Sequence, residues 1–264
     1  MSKDTLGDRM KVFYEDRTRI TLCRRNYTLI RIDGAHFHTY TKGLKRPFDD
    51  GLIDDMNNTA KYLCSNIMGA KLGFVQSDEI SILLTDFDTN ETQAWFDNNL
   101  QKMCSISSSL ATAKFNQLRM YRACGDSDGD DRFPNLTDKY IIGFQLATFD
   151  SRVFQIPHIE EVINYFLWRQ QDTVRNSVST VAQSLYSHKE LEGKNVDNMK
   201  IMIESKGNPW DSYEDKYKQG RIIVKESYEK IGPKGEIAKR THWVSKGAPD
   251  FNKQKDFFNF IREI

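Results

Sequence analysis

The strongest constraint on how this chain folds is the order of hydrophobic patterns in its first half. Residues 27–33, Tyr-Thr-Leu-Ile-Arg-Ile-Asp, are rich in β-branched side chains and stop at Gly34, as a short strand does. A loop containing Gly43 and Pro47 follows. Leu52, Met56, Ala60, Leu63, Cys64 and Ile67 then recur at helical spacing on one face. Gly69 and Gly73 bracket the exit into a second strand region, residues 74–84, interrupted by Gln76-Ser77-Asp78-Glu79. A polar break between two apolar arms predicts a hairpin, with Ser-Asp-Glu at its tip. Trp95, Leu100, Met103, Cys104 and Leu110 mark a second helix running towards Phe115, and strand character returns at 140–149 and at 153–154.

This β-α-β-β-α-β order predicts an α+β fold with the split β-α-β arrangement, an antiparallel sheet carrying two helices on one face. Further helices follow it. Pro157 suits the first turn of one that carries Ile159, Val162, Ile163, Phe166 and Leu167, and residues 172–186 read as helical too. From Lys189 onward the pattern mixes a short helix, a strand at 221–224 and a Lys/Gly/Pro-containing tail.

Composition narrows the functional classes. With 39% apolar and 28% charged residues the chain has the balance of a soluble globular protein. No run approaches the roughly 18 apolar residues of a membrane span. The charged N-terminal stretch lacks an apolar signal region, so a cytoplasmic location is expected. Cys23, Cys64, Cys104 and Cys124 are scattered, which argues against a zinc site and for reduced, structural thiols. The acidic stretch 125–134 reads as a loop. Within it Asp126-Ser127-Asp128-Gly129-Asp130-Asp131 fails the ligand spacing of a calcium loop, because the glycine is misplaced and the closing glutamate is missing.

Two acidic positions stand out. Asp33 ends an apolar strand, and Asp78 and Glu79 interrupt another. In the split β-α-β order these strands are neighbours, so the carboxylates converge on one sheet edge. Mg²⁺ takes one or two carboxylates together with substrate phosphates, and two such ions about 3.5–4 Å apart promote in-line phosphoryl displacement. Gly34, lacking Cβ, would let backbone approach a metal or phosphate. The plain alternative is that Asp-Gly is a turn and Ser-Asp-Glu a solvated hairpin tip. From residue types alone the two readings stand level.

Longer motifs add a resemblance. Arg31-Ile32-Asp33-Gly34-Ala35-His36-Phe37-His38, Thr41-Lys42-Gly43 and Arg46-Pro47-Phe48-Asp49 resemble the nucleotide-binding signature of the tRNA-His guanylyltransferase superfamily. Gln76-Ser77-Asp78-Glu79-Ile80-Ser81 is similar to that family's Q-S-D-E-Y-S. Phe149-Asp150-Ser151-Arg152 and Tyr165-Phe166-Leu167-Trp168-Arg169-Gln170-Gln171-Asp172 match further.

The resemblance implies a catalytic core like a polymerase palm over residues 1–155, a helical and C-terminal extension over 156–264 that completes it and contacts tRNA, and a homotetramer. It implies that Asp33 and Asp78 bridge two Mg²⁺ ions with the Gly34 carbonyl as a further ligand, and that Glu79 assists. A regular strand would place Glu79 on the opposite face from Asp78. Phe37 and His38 would hold base or ribose, core packing being the equal alternative for Phe37. Thr41, Arg46, Asp49 and Asn176 fall at nucleotide-binding positions, and Arg31, Ser77, Lys102 and Arg152 at the triphosphates of ATP and GTP. Lysine as a point charge and arginine as a fork suit that task. Arg24, Arg25, Asp172 and Arg175 are candidate tRNA contacts, joined by Lys234, Lys239, Arg240 and Lys246 of the tail.

One departure matters. After W-R-Q-x-D the family reads C-H-I-N-N-L-Y-N, whereas here Thr173-Val174-Arg175-Asn176-Ser177-Val178-Ser179 follow. Val174 replaces the motif's histidine and offers neither proton nor lone pair. That favours the branch that repairs tRNA 5′ ends by templated 3′-to-5′ addition over guanylate addition at position −1 of tRNA-His. More distant alternatives are a nucleotide cyclase, whose G-G-[DE]-E-F motif is absent, and a non-catalytic RNA-binding module.

Overall fold

A computed structural model describes residues 5–124, 145–231, 237–253 and 255–259. Its centre is a six-stranded antiparallel sheet in the order β4-β1-β3-β2-β5-β6. The strands are β1 (Tyr27–Ala35), β2 (Ala70–Gln76), β3 (Glu79–Leu84), β4 (Thr148–Ile156), β5 (Arg221–Ile231) and β6 (Ile237–Gly247). Three long helices pack on it: α1 (Asp50–Asn66), α2 (Leu100–Cys124) and α3 (Ile159–Leu185). The expected mixture of helices and antiparallel sheet is present. β1 and β2, joined through α1, flank β3.

Strand alternation divides the apolar residues between two cores. Ile30 and Ile32 of β1, Val75 of β2, and Ile80 and Ile82 of β3 face α1 and α2, meeting Met56, Ala60, Leu63, Met103 and Phe115. Leu29, Leu72, Phe74 and Leu83 point the other way, to Val162, Tyr165 and Phe166 of α3 and to Phe251 and Phe258. Every residue of β3 is buried, as befits a strand covered on both faces. Fully burying each such Ile, Leu or Phe stabilises by roughly 1.5–3 kcal/mol. A third cluster joins the end of α3 (Val178, Val181, Ala182) to Leu191, Ile203 and Trp210. Buried Asp55 of α1 holds Arg119 (3.1 Å) and Arg122 (2.9 Å) of α2.

Several boundaries differ from the sequence reading. β4 is continuous from Thr148, with no gap at residues 150–152, and residues 145–147 are not strand. Residues 159–185 form one 27-residue helix, where the sequence suggested two. Gly73 lies inside β2, where an added Cβ would meet Ile223 at 3.0 Å and Cys64 at 3.1 Å. It admits β5 to the sheet. Gly69, at φ +82°, does make the turn. The short strand expected at 221–224 continues to Ile231 and pairs along its length with β6. The acidic stretch 125–134, the strand residues 140–144 and Lys234 lie outside the described residues. No helix among the described residues is long and apolar enough to cross a membrane.

Candidate active site

β1 carries Asp33 to the sheet edge where β2 and β3 are joined by the two-residue turn Ser77-Asp78. Ser77 sits in the left-handed region at φ 43°, which closes this tight hairpin. The Gly34 N–H donates to the Asp78 carbonyl at 3.2 Å, docking the turn onto the end of β1. Asp33 lies directly opposite Glu79 on β3 and Asp150 on β4. Three acids therefore share one row across three strands, with Asp78 beside them.

That crowding is relieved on one side. Arg169 of α3 grips Glu79 with both arms, Nε to Oε1 at 2.8 Å and Nη2 to Oε2 at 2.7 Å, and both side chains are buried. Gln76 donates to Glu79 Oε1 at 3.2 Å, and Thr173 donates to Gln76. Arg169 also reaches Asp172 at 3.0 Å, and Asp172 binds Arg175 at 2.9 Å. Asp78 has no such relief. Burial pushes its carboxyl up to about 6, and the charges of Asp33 and Glu79 push the same way, against hydrogen bonds from backbone and Ser77. A part-buried carboxylate that is costly to ionise, with further acids beside it, is suited to a divalent cation that would offset the charge. Among the described residues no group of three or more His, Cys, Asp or Glu side chains is placed to hold a metal ion by itself. Mg²⁺ does not require one, since substrate phosphates and water fill the remaining positions.

Beside the turn lies a cavity of about 320 Å³, within the size range of ligand sites. His38, Thr41, Arg46, Asp49, Ser77 and Asn176 line it, so six of the sequence-predicted nucleotide residues come together from four different segments. Asp49 also caps α1, accepting from the Leu52 N–H at 2.8 Å.

Other predicted residues lie elsewhere. The Phe37 ring is 4% exposed and packs on Tyr40, Phe115 and Phe149, so its place is the core and not a nucleotide. That ring also explains Gly34: an added Cβ would come within 2.2 Å of it, so the glycine serves packing on its Cα side. Arg31 and Arg152 stand opposite each other on β1 and β4, next to the acidic row. The Arg31 Nε is enclosed without a partner, and Arg152 lies 3.7 Å from Asp150. Lys102 is exposed near the start of α2, against the sheet face away from α3, and does not line the cavity. Arg24 and Arg25 flank the opposite end of β1, about 20 Å from Asp33 at strand rise. There Arg24 binds Asp86 at 2.6 Å and the Thr92 carbonyl at 2.6 Å, and the Arg25 N–H also binds Asp86. These two arginines hold a loop together and remain exposed, away from the cavity, so any part they play is in contacting tRNA and not the nucleotide. Lys246 pairs with Glu226, whereas Lys239 and Arg240 are exposed on β6.

Sequence reasoning passed over Asp150, Arg169 and Arg221. The first two stood in quoted motifs, and a strand register would have put Asp150 beside Asp33. Arg221 carried no signal, since an arginine opening a strand is ordinary.

The family model described as tRNAHis guanylyltransferase (Thg1) matches residues 7–157. A bacterial tRNA(His) guanylyltransferase (Thg1)-like protein solved with ATP is 43% identical, with a TM-score of 0.80 and 96% of each chain covered. A bacterial protein of the same description solved with GTP is 42% identical, with a TM-score of 0.76, covering 96% of this chain and 97% of that one. The tRNA(His) guanylyltransferase of Debaryomyces hansenii is 25% identical over 227 residues, 81% of this chain and 78% of the relative.

Proposed function

This chain belongs to the tRNA(His) guanylyltransferase family, a family of nucleotidyltransferases, and on that premise we propose that it adds nucleotides to the 5′ end of tRNA at the Asp33–Asp78 edge. The observation that supports the reading is the pair of acids without an arginine clamp, next in chain to the Ser77 turn that lines a cavity of predicted nucleotide residues. The palm-like character of the core is part of the same proposal, supported by the strand order.

Asp33, Asp78 and the Gly34 carbonyl would hold two Mg²⁺ ions, which supply Lewis-acid stabilisation of the phosphoryl oxygens. In the first step a 5′-phosphate oxygen of the tRNA attacks the α-phosphorus of ATP or GTP, and pyrophosphate leaves. In the second, the 3′-hydroxyl of the incoming nucleotide attacks the activated 5′-phosphorus and the nucleoside monophosphate leaves. A tRNA that already bears a 5′-triphosphate enters at the second step, and there pyrophosphate is the leaving group. Arg31 and Arg152 offset the negative charge of the triphosphate, and the Ser77 hydroxyl hydrogen-bonds to it. His38, Thr41, Arg46, Asp49 and Asn176 position base and ribose. Glu79, neutralised by Arg169, orients the turn and does not ligate metal. Arg175, Lys239 and Arg240 offer the exposed charge that tRNA phosphates need.

The descriptions of the matching relatives favour guanylate addition to tRNA-His. Templated repair of truncated ends is favoured by Val174, which is packed in the third apolar cluster where the motif has histidine. Radiolabelled addition to intact tRNA-His and to 5′-truncated tRNAs separates them, since repair requires the truncated substrates to be preferred. Asp33→Ala and Asp78→Ala should each abolish both activation and addition while circular dichroism stays native. Near-normal activity in either variant would remove the site assignment. Assembly as a homotetramer is part of the proposal and is read by sedimentation.

A further inference from the structure

Arg221 opens β5 and lines the cavity, yet the nucleotide motifs do not include it. Its side chain is almost wholly enclosed, at 5% exposure. Nε donates to Asn57 at 3.1 Å and Nη1 to the Lys216 carbonyl at 3.3 Å, while Nη2 is buried with no partner. Burial lowers the guanidinium to about 10, with the charge of Asp54 opposing the shift. Enclosed charged donors without a protein acceptor are costly and rare, and one on a cavity-lining residue is a candidate partner for a ligand, an ion or a water.

The surroundings narrow the ligand. Leu44, Pro47, Phe48, Leu52 and Ile53 give the cavity an apolar wall suited to the face of a ring. Neither Asp33 nor Asp78 lines it, so phosphates held at those acids leave this space for the base. Guanine presents two adjacent acceptors, O6 and N7, which match an arginine donor. Adenine presents an amino donor where guanine has O6.

We propose that Arg221 is a specificity-determining residue that recognises a guanine base in this cavity, its guanidinium donating to the O6 and N7 edge once the base displaces the contacts that enclose Nη2. The inference rests on the nucleotidyltransferase reading of the same site. It is tested by calorimetric titration of the full chain, in Mg²⁺, with GTP, inosine triphosphate, ATP and 2-aminopurine riboside triphosphate. The first two carry O6 and should bind roughly tenfold or more tighter than the last two. Arg221→Met should bring the four affinities together by weakening only the O6-bearing pair, and Arg221→Lys, which keeps a donor, should retain part of the preference. Equal affinities in the wild type overturn the proposal, as does a preference that survives Arg221→Met. Equal weakening of all four nucleotides also overturns it, because that is the mark of a phosphate contact. If Arg221→Met does not fold, the wild-type series and Arg221→Lys decide. Absence of Mg²⁺-dependent binding by any nucleotide sinks the underlying enzyme reading as well, which separates the two failures.

Discussion

Replacing Asp78 by asparagine should make the metal-free protein more stable while removing its activity. In an unfolded chain an aspartate titrates near 3.9, whereas in the folded protein burial and the neighbouring acids hold Asp78 at about 6. Below about pH 4 both states carry the proton and nothing is lost. As pH rises through 6 the folded state must ionise a group that it disfavours, and by neutrality the cost is complete. About two pKa units set an upper limit of about 3 kcal/mol. The carboxyl keeps some contact with water, so about 1–2 kcal/mol is the realistic share. In a chain of this size that raises the melting temperature of Asp78→Asn by roughly 3–6 °C. Thermal unfolding in a chelator at pH 7.5 and pH 4.5 measures it, and the gain should fall to about a third at the lower pH, because the cost builds up between the unfolded and folded titration ranges. With Mg²⁺ and GTP the order should reverse, because ligand at about a hundred times its Kd adds about 2.7 kcal/mol to a protein that binds it. A variant no more stable than wild type at pH 7.5, or equally stabilised at both pH values, would refute the reasoning.

Arg169→Ala strands the Glu79 carboxylate among Asp33 and Asp78 and should cost about 3–5 kcal/mol, read by urea unfolding. Gly34→Ala drives a methyl into the Phe37 ring, so a loss of about 1–3 kcal/mol is expected together with impaired addition, because Asp33 is the adjacent residue. Asp55→Ala leaves Arg119 and Arg122 without their shared partner. It should destabilise by about 3–5 kcal/mol and lower the melting temperature, while nucleotide affinity measured below the transition stays unchanged.

The part of the fold that positions the site was legible because it is built from complete periodic signals. β1 and the Ser77-Asp78 hairpin are apolar segments broken by acids, and α1 repeats its apolar face without a gap. β4 was misread because its outward residues, Asp150 and Arg152, are charged and exposed, as an edge strand allows. The β5–β6 ribbon was missed beyond residue 224 because Lys225, Glu226, Ser227, Glu229 and Lys230 show no apolar alternation. It is held by its ladder and by contacts such as Lys225 over Trp243 and Tyr228 against His242. The family motifs suggested Phe37 as a base contact with core packing as the equal alternative, and only packing reveals that its ring is core. The Glu79–Arg169 pair spans 90 positions in the chain, a separation that no local pattern reports.

Helix α3 brings Arg169, Thr173 and Asn176 to the hairpin on successive turns, and Val178, Val181 and Ala182 to the C-terminal cluster. At 1.5 Å per residue it is a rod about 40 Å long. A shift of the hairpin large enough to drag Arg169 must either break the clamp or swing the far end of the rod and everything seated on it. The proposed grip on the nucleotide and the posture of the C-terminal helices are thereby geared together, and a substitution at Trp210, whose Nε1 donates to the cavity-lining Ser177 at 3.0 Å, is positioned to detune the chemistry.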